Sequence, residues 1–312
     1  MKKLLGSALV ATLLLSGVSF AKTSAEVNKA TVTQAKTDAK NSQTKLIEEA
    51  VKSLLLTQKV LVDLSNKDKK AAIKDLEDAI GKLEVILASK DAPALLPVDS
   101  KVVAIEYVGT IDMLKKSVEE VKKLIEDGKL QAARVLLNTL QSQINITTVS
   151  IPLATYPDAL KLAAKYLHED KINEAVAVLD TALNTLVQEQ VVLPLPILKA
   201  EGLIKAASVI ATKDKEQALK HLEQAKKELE IAKTLGYVST SDTTYKMLDD
   251  AISEIEKEIK GKNKAEKLFE ELISKIKEFK EKAFTHSDNK ESKKEAKESN
   301  EKASSNEKNS SK

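Results

Sequence analysis

A unit of helix, turn, helix and extended segment occurs twice in this chain at a spacing of 42 residues. Apolar and turn positions coincide along the whole unit, which chance does not easily produce. The matched pairs are Leu124/Tyr166, Ile125/Leu167, Lys129/Lys171, Leu130/Ile172, Ala133/Ala175, Leu137/Leu179, Ile151/Leu193, Pro152/Pro194 and Leu153/Leu195. The sequence therefore predicts a mainly α fold, in which repeated helical hairpins are separated by short extended or β segments.

The hairpin pattern continues on both sides of this unit. We expect a domain of four hairpins at residues 45–237, with strands at Lys101–Val108 and Ile144–Ile151. A third extended segment, Val191–Pro196, holds two prolines, and proline cannot donate a hydrogen bond inside a sheet. This segment is predicted to be an edge strand or an extended brace, and Gly236 is predicted to end the last hairpin.

The N-terminus has the pattern of a secretory signal at residues 1–21. Lys2 and Lys3 precede the apolar run Leu4–Val18, and a small-residue cleavage site ends at Ala21. The alternative is an uncleaved anchor, but a run of about 15 residues is shorter than the ~20 that a membrane-spanning helix needs. We expect cleavage, a periplasmic mature protein and no stable membrane span.

Three further regions flank or follow the hairpins. Residues 22–44 show no apolar stripe and predict a flexible lead-in, and residues 285–312 consist mainly of Lys, Glu, Ser and Asn, which predicts a disordered tail. Residues 238–284 have heptad spacing and predict a helical pair that packs either on itself, the preferred alternative, or on a second subunit. The candidate oligomer positions are Leu248, Ile252, Ile255, Ile259, Phe269, Leu272, Ile276 and Phe279.

Composition excludes several classes of function. The chain has no cysteine, hence no disulfide, thiolate metal site or thiol nucleophile. Two of its 50 basic residues would be removed with the signal, which leaves 48 basic and 47 acidic residues. The mature protein would therefore have no strong net charge to attract charged partners. Arg134 is the only arginine and aromatic residues make up 3% of the chain, so nucleic-acid binding is not expected.

Catalytic chemistry has little support. The three histidines are scattered: His168 is expected at an exposed turn, His221 on the charged side of a helix and His286 in the tail. The sequence contains no nucleophile elbow, phosphate loop or dinucleotide fingerprint. We predict a protein that is not an enzyme and that has no cofactor, metal site or catalytic residue.

The Leu-Pro segments allow two interpretations. They either end helices and lie over the core, or they come together to line an apolar groove or a subunit contact. The candidate residues for that groove are Leu96, Pro97, Ile151, Pro152, Leu153, Leu193, Pro194, Leu195 and Pro196.

Three stretches also carry a family resemblance. Residues 151–160 (Ile-Pro-Leu-Ala-Thr-Tyr-Pro-Asp-Ala-Leu), 173–175 (Asn-Glu-Ala) and 193–200 (Leu-Pro-Leu-Pro-Ile-Leu-Lys-Ala) make the region from Lys45 to Tyr237 resemble the YfdX family of bacterial envelope proteins. The resemblance implies a helix-rich, homo-oligomeric periplasmic protein that is associated with stress and acts on other proteins in a chaperone-like way. It brings no catalytic residues, and the charged extension after Lys262 departs from the family.

Three hypotheses of function follow. The leading one is a non-enzymatic periplasmic protein that binds exposed apolar segments of unfolded or envelope proteins. The alternative is a tetratricopeptide-like scaffold that docks one specific envelope partner. A small-molecule-binding protein is the second alternative.

Overall fold

The computed structural model describes residues 22–41, 43, 45–238, 243–261 and 265–285; of residues 243, 244 and 279–285 it describes the backbone alone. The described residues form α1 (Ser24–Asn41), α2 (Glu48–Ser65), α3 (Lys69–Leu87), β1 (Leu95–Ile105), α4 (Ile111–Glu126), α5 (Leu130–Thr139), β2 (Gln143–Pro152), α6 (Tyr156–His168), α7 (Ile172–Asn184), β3 (Val187–Pro194), α8 (Leu195–Ile210), α9 (Lys215–Thr234), α10 (Thr243–Lys260) and α11 (Glu266–Thr285). The predicted fold class, mainly α with short β segments between hairpins, is confirmed.

The two copies of the repeated unit have matching element boundaries. α4 and α6 end at Glu126 and His168, and α5 and α7 begin at Leu130 and Ile172. β2 and β3 end at Pro152 and Pro194. Each pair is 42 residues apart. The repeat read from the sequence is therefore a repeat of structure.

The hairpin turns share one backbone conformation. Lys67, Gly128 and Asp170, each two residues after the end of a helix, have φ of +62°, +72° and +61°. In the second turn the Lys129 N–H donates to the Leu124 carbonyl oxygen at 2.8 Å, which closes a Schellman motif. The other two turns contain the same bond, so the three hairpins can be aligned on this left-handed position.

The three strands form a sheet in the order β1, β2, β3. Just after β2, Leu153 donates to the carbonyl oxygen of Ala94, just before β1, at 3.0 Å. Leu195 likewise follows β3 and donates to Ser142, which precedes β2, at 2.9 Å. The end of each strand thus lies beside the start of its neighbour, as in antiparallel pairs. β3 is an edge strand, as the two prolines of the predicted segment Val191–Pro196 indicate, although only Pro194 lies in β3.

Two predicted extended segments have wrong boundaries. β1 spans Leu95–Ile105 rather than Lys101–Val108, and it tolerates Pro97 because it is the other edge of the sheet. β3 spans Val187–Pro194 rather than Val191–Pro196. Leu195 and Pro196 open α8 rather than ending the extended segment. Proline fits the first helical turn because the N–H it lacks has no partner there.

The chain divides into two compact units. The terminal unit comprises residues 1–42, 103–145 and 191–312, and the central unit comprises residues 43–102 and 146–190. The predicted hairpin domain at residues 45–237 therefore contributes to both units, and the predicted helical pair belongs to the terminal unit.

The central unit is a pair of like hairpins. α3 contacts α6, and α2 contacts α7, so α2–α3 packs on α6–α7. Leu64, Leu76, Leu167 and Leu179 belong to the single buried core between these four helices. This unit shows how two copies of the hairpin bury each other's apolar faces.

The terminal unit is built around α8, which packs against α1, α9 and α11. The predicted heptad residues of α10 and α11 belong to its core: Leu248, Ile252, Ile255, Ile259, Phe269, Leu272 and Ile276 are buried there. The prediction that these positions mediate oligomer formation is wrong, because α8 and α9 of the same chain already cover them. The side chain of Phe279 lies outside the described residues.

The predicted flexible lead-in is also wrong where the structure describes it, since residues 24–41 form α1. Val27, Thr31, Ala35 and Ala39 repeat every four residues and are buried. Their small side chains allow a close approach to α8: a Cβ at Gly202 would lie 2.3 Å from Thr31 Oγ1. The stripe escapes sequence inspection because it contains threonine and alanine rather than large apolar residues.

Other predictions concern residues beyond the described part. The signal peptide at residues 1–21 and residues 286–312 of the tail lie outside it. Among the described helices, none has the length and apolar character needed to cross a membrane.

Candidate functional site

The Leu-Pro residues do not line an accessible groove. Leu96, Ile151 and Leu153 join the core of the central unit, and Leu193 and Leu195, in the terminal unit, are also buried. Of the prolines in these segments, Pro194 and Pro196 are buried and Pro97 and Pro152 half-buried. The groove interpretation is therefore wrong, because these side chains fill the interior.

A different apolar surface is exposed on the hairpin α4–α5. Ile125, Leu130 and Leu137 are 48%, 62% and 46% exposed. Leu130 and Leu137 lie two helical turns apart on one side of α5, and Ile125 is in the last turn of α4. We call these three side chains the hairpin face.

For two of these three residues the equivalent positions in the other two like hairpins are buried, whereas the equivalent of Leu130 is Ile172, which is 39% exposed. The repeat aligns Ile125 with Leu167 and Leu137 with Leu179, both of which are fully buried. In α2–α3, aligned on the turn residues Lys67 and Gly128, the equivalents are Leu64 and Leu76, which are buried as well. The hairpin face thus keeps the residue types of a packing surface without the packing.

The other side of α4–α5 packs against α9. Leu114, Val121, Ala133 and Leu140 form a small buried cluster, against which Ile231 of α9 and Leu235, directly after α9, pack. Lys115 forms an ion pair with Glu230 of α9, and Thr110 caps α4 by accepting from the Met113 N–H at 3.2 Å. These contacts hold the hairpin in place with its apolar face outward.

The chemistry available at the hairpin face is apolar contact. Fully burying a leucine or isoleucine contributes about 1.5–3 kcal/mol, so covering the exposed half of each side chain contributes roughly 1 kcal/mol. The neighbouring Glu126, Lys129 and Arg134 are exposed and form a charged rim. An apolar patch with such a rim is typical of a protein-binding surface.

A buried polar cluster connects α1 to α9. Ser24 Oγ lies 2.9 Å from His221 Nδ1, and Asn28 Nδ2 donates to Glu228 Oε1 at 2.8 Å. Burial lowers the pKa of His221 below its ordinary value of 6.5, against the attraction of Asp214. His221 is 2% exposed, so its predicted place on a charged helix side is wrong.

Glu228 is the acidic member of this cluster. Burial raises its pKa above the ordinary 4.5, and the charge of Glu106 adds to that increase. Lys199 and the hydrogen bonds from Gln224 and Asn28 oppose it. Since its groups are already paired with one another, we assign the cluster to the docking of α1.

Histidine and carboxylate side chains are not assembled for metal binding in the described part of the chain. His168 is exposed at a hairpin turn, as predicted, with its Nε2 3.8 Å from Glu77 Oε1. Among the described residues, no group of three or more His, Cys, Asp and Glu side chains is close enough to hold a metal ion. His286 lies outside them.

Comparisons with known proteins address the family. Residues 53–192, which run from α2 to β3, match the family model described as YfdX protein. A solved structure of YfdX from Salmonella Typhi is similar at 15% identity with a TM-score of 0.34, covering 46% of this chain and 90% of that one. No curated protein matches the chain. The predicted resemblance to the YfdX family is therefore confirmed, and residues 53–192 are the part of this chain that carries it.

Proposed function

We propose that this protein is a non-enzymatic, homo-oligomeric periplasmic protein that binds exposed apolar segments of unfolded or envelope proteins through its hairpin face. One observation carries the proposal: Ile125 and Leu137, two of the three large apolar side chains of the hairpin face, are exposed where the equivalent positions of the other two like hairpins are buried. The signal-like residues 1–21 support the compartment, and the family resemblance supports the chaperone-like role.

The mechanism is capture by mass action. An unfolded chain exposes apolar side chains, and their burial against Ile125, Leu130 and Leu137 stabilises the bound state relative to aggregation. Charged residues make up 31% of the protein, and many lie on exposed helix faces, so that a complex with a bound segment stays soluble.

The test is the suppression of aggregation of an unrelated unfolding protein, followed by light scattering at neutral and acidic pH. We expect substoichiometric protein to suppress scattering. At neutral pH, where the new carboxylate is ionised, Leu137→Glu should abolish most of the effect because it places a charge in the hairpin face. Val135→Glu is the matched control, since Val135 is 69% exposed on the same helix but lies off the face. Equal suppression by both variants would refute the assignment of the face.

The hairpin face also fits a scaffold that docks one specific envelope partner, because its size suits a single helical hairpin. Affinity capture from an envelope extract separates the two functions. One stoichiometric partner that Leu137→Glu releases would establish the scaffold, whereas a heterogeneous set would establish the chaperone-like role.

A further inference from the structure

Two hairpins of this chain already show how such faces are covered. In the central unit the two like hairpins α2–α3 and α6–α7 pack on each other. The second helix of the first hairpin, α3, contacts α6, the first helix of the second hairpin, and α2 contacts α7 in the same way. Leu64 and Leu76 from one hairpin and Leu167 and Leu179 from the other share the resulting core. The arrangement is reciprocal, which is the geometry of an approximate two-fold pair.

The hairpin α4–α5 has the same face without a counterpart. Val121 and Ala133 are buried, as are their equivalents in both other hairpins, so the inner side of α4–α5 follows the common pattern. The outer positions, Ile125 and Leu137, change from buried to about half exposed. Within the described residues, each of the other two like hairpins is the partner of the other, and α4–α5 is the third.

We propose that the hairpin face is covered by the α4–α5 hairpin of a second copy of this chain. The two hairpins pair about a two-fold axis, with α5 of one copy against α4 of the other, as α3 packs on α6 and α2 on α7. A two-fold axis is required because the same patch serves both copies. The inference rests on the homo-oligomer in the proposed function and adds the surface that forms it.

The central unit also supplies the register of this pair. There Lys69 pairs with Asp170 across the two turns, and His168 Nε2 lies 3.8 Å from Glu77 Oε1. The equivalent positions in two facing α4–α5 hairpins place Leu130 opposite Gly128 of the second copy, and Glu126 opposite Asn138 of the second copy. At neither of these two pairs do like charges oppose each other.

Pairing would regulate the proposed function. The face that binds apolar segments is closed in the pair and open in the separated copy, so client and second copy compete for Ile125, Leu130 and Leu137. Self-association then limits how much of the apolar hairpin face is open when no client is present.

Sedimentation of the full mature chain over a range of concentrations tests the pairing. We expect wild-type protein to self-associate reversibly, Leu137→Glu to weaken self-association by at least about tenfold, and Val135→Glu to leave it unchanged. Val135 is the matched control because its equivalents, Lys74 and Ala177, are both exposed in the paired hairpins rather than part of their core. Circular dichroism verifies that both variants fold.

Cross-linking tests the register without disturbing the face. Since the chain has no cysteine, Glu126→Cys and Asn138→Cys each carry one thiol. A short bismaleimide should link an equimolar mixture of these two variants into a covalent pair, and it should link a mixture of Glu126→Cys and Val135→Cys far less. Equal linking in both mixtures would overturn the register.

The two proposals fail separately. A wild-type protein that stays monomeric at all concentrations overturns the pairing and the homo-oligomer, while suppression of aggregation would still support the chaperone-like role. If the protein forms an oligomer that Leu137→Glu does not weaken and that the bismaleimide does not cross-link, only the assignment of the α4–α5 surface is overturned. Oligomers without suppression of aggregation overturn the chaperone-like role and leave the pairing intact.

Discussion

The left-handed turn position shows how single residues shape the hairpins. Gly128 takes φ of +72° without a steric penalty, whereas Lys67 takes φ of +62° with its Cβ close to its own backbone. The Schellman bond of this turn, from the Asp68 N–H to the Asp63 carbonyl oxygen at 2.9 Å, accompanies a Lys67 conformation that a lysine disfavours. Asp170 occupies the same position in α6–α7 but also forms an ion pair with Lys69. A substitution there would change the ion pair as well as the backbone strain, so Lys67 is the better site for a test.

Exchanging the residue type at this position should change stability with opposite signs in two hairpins. Lys67→Gly should raise the free energy of unfolding by about 1 kcal/mol, because glycine removes the strain, and Gly128→Ala should lower it by a similar amount. Chemical denaturation followed by circular dichroism measures both. A change of the same sign in the two variants would show that φ at this position does not control the turn.

At the scale of elements, the packing of α1 on α9 depends on the ionisation of Glu228. Its folded pKa is raised above the unfolded value near 4.5, so the folded state binds this proton more tightly. The stability it contributes is therefore present below pH 4.5 and lost as pH rises through the folded pKa. A tenfold difference in proton affinity between the folded and unfolded states corresponds to about 1.4 kcal/mol.

Glu228→Gln should remove this dependence, because glutamine still accepts from Asn28 and never ionises. We expect the variant to be more stable than wild-type protein at pH 8 and the difference to shrink towards pH 4. Comparing the two proteins at each pH cancels the protonation of His221, which they share and which destabilises the fold as pH falls below 6.5. A constant difference at every pH would show that Glu228 does not titrate on folding.

The sequence predicts those elements whose signals are local. The hairpins repeat, the edge strand β3 is indicated by the prolines at its end and just after it, and the Schellman end of α9 at Gly236 is confirmed by φ of +79°. The sequence does not reveal α1 because Thr31, Ala35 and Ala39 pack through their small size, a property that matters only when Gly202 lies opposite. It also leaves the partner of α10 and α11 open, because heptads specify a stripe but not what covers it.

The hairpin face escapes sequence inspection for a related reason. Ile125 and Leu137 match Leu167 and Leu179 in the repeat, so by residue type they look like core. The number of like hairpins could have indicated an exposed face. Three hairpins share this pattern, so if they pack in pairs, one of them has no partner hairpin. Which of the three is left over depends on tertiary contacts, and the sequence contains no local mark of it.

At the scale of the whole molecule, charge balance should make self-association depend on acid. Near neutral pH 50 basic and 47 acidic residues nearly cancel over the full sequence, but below about pH 4 most carboxylates are protonated while lysine stays charged. Each copy then carries a large positive charge, and two copies that meet through α4–α5 repel each other.

We therefore expect sedimentation at pH 3.5 and low salt to show weaker self-association than at pH 7, together with stronger binding of an apolar dye as the hairpin face opens. Added salt is the control, because at about 0.15 M it screens charges beyond roughly 8 Å and should partly restore the pair. Leu137→Glu should show a smaller change in dye binding, since its face is already open at pH 7. An oligomer and a dye signal that do not respond to acid would contradict the mechanism, because repulsion between like-charged copies could not then oppose their pairing.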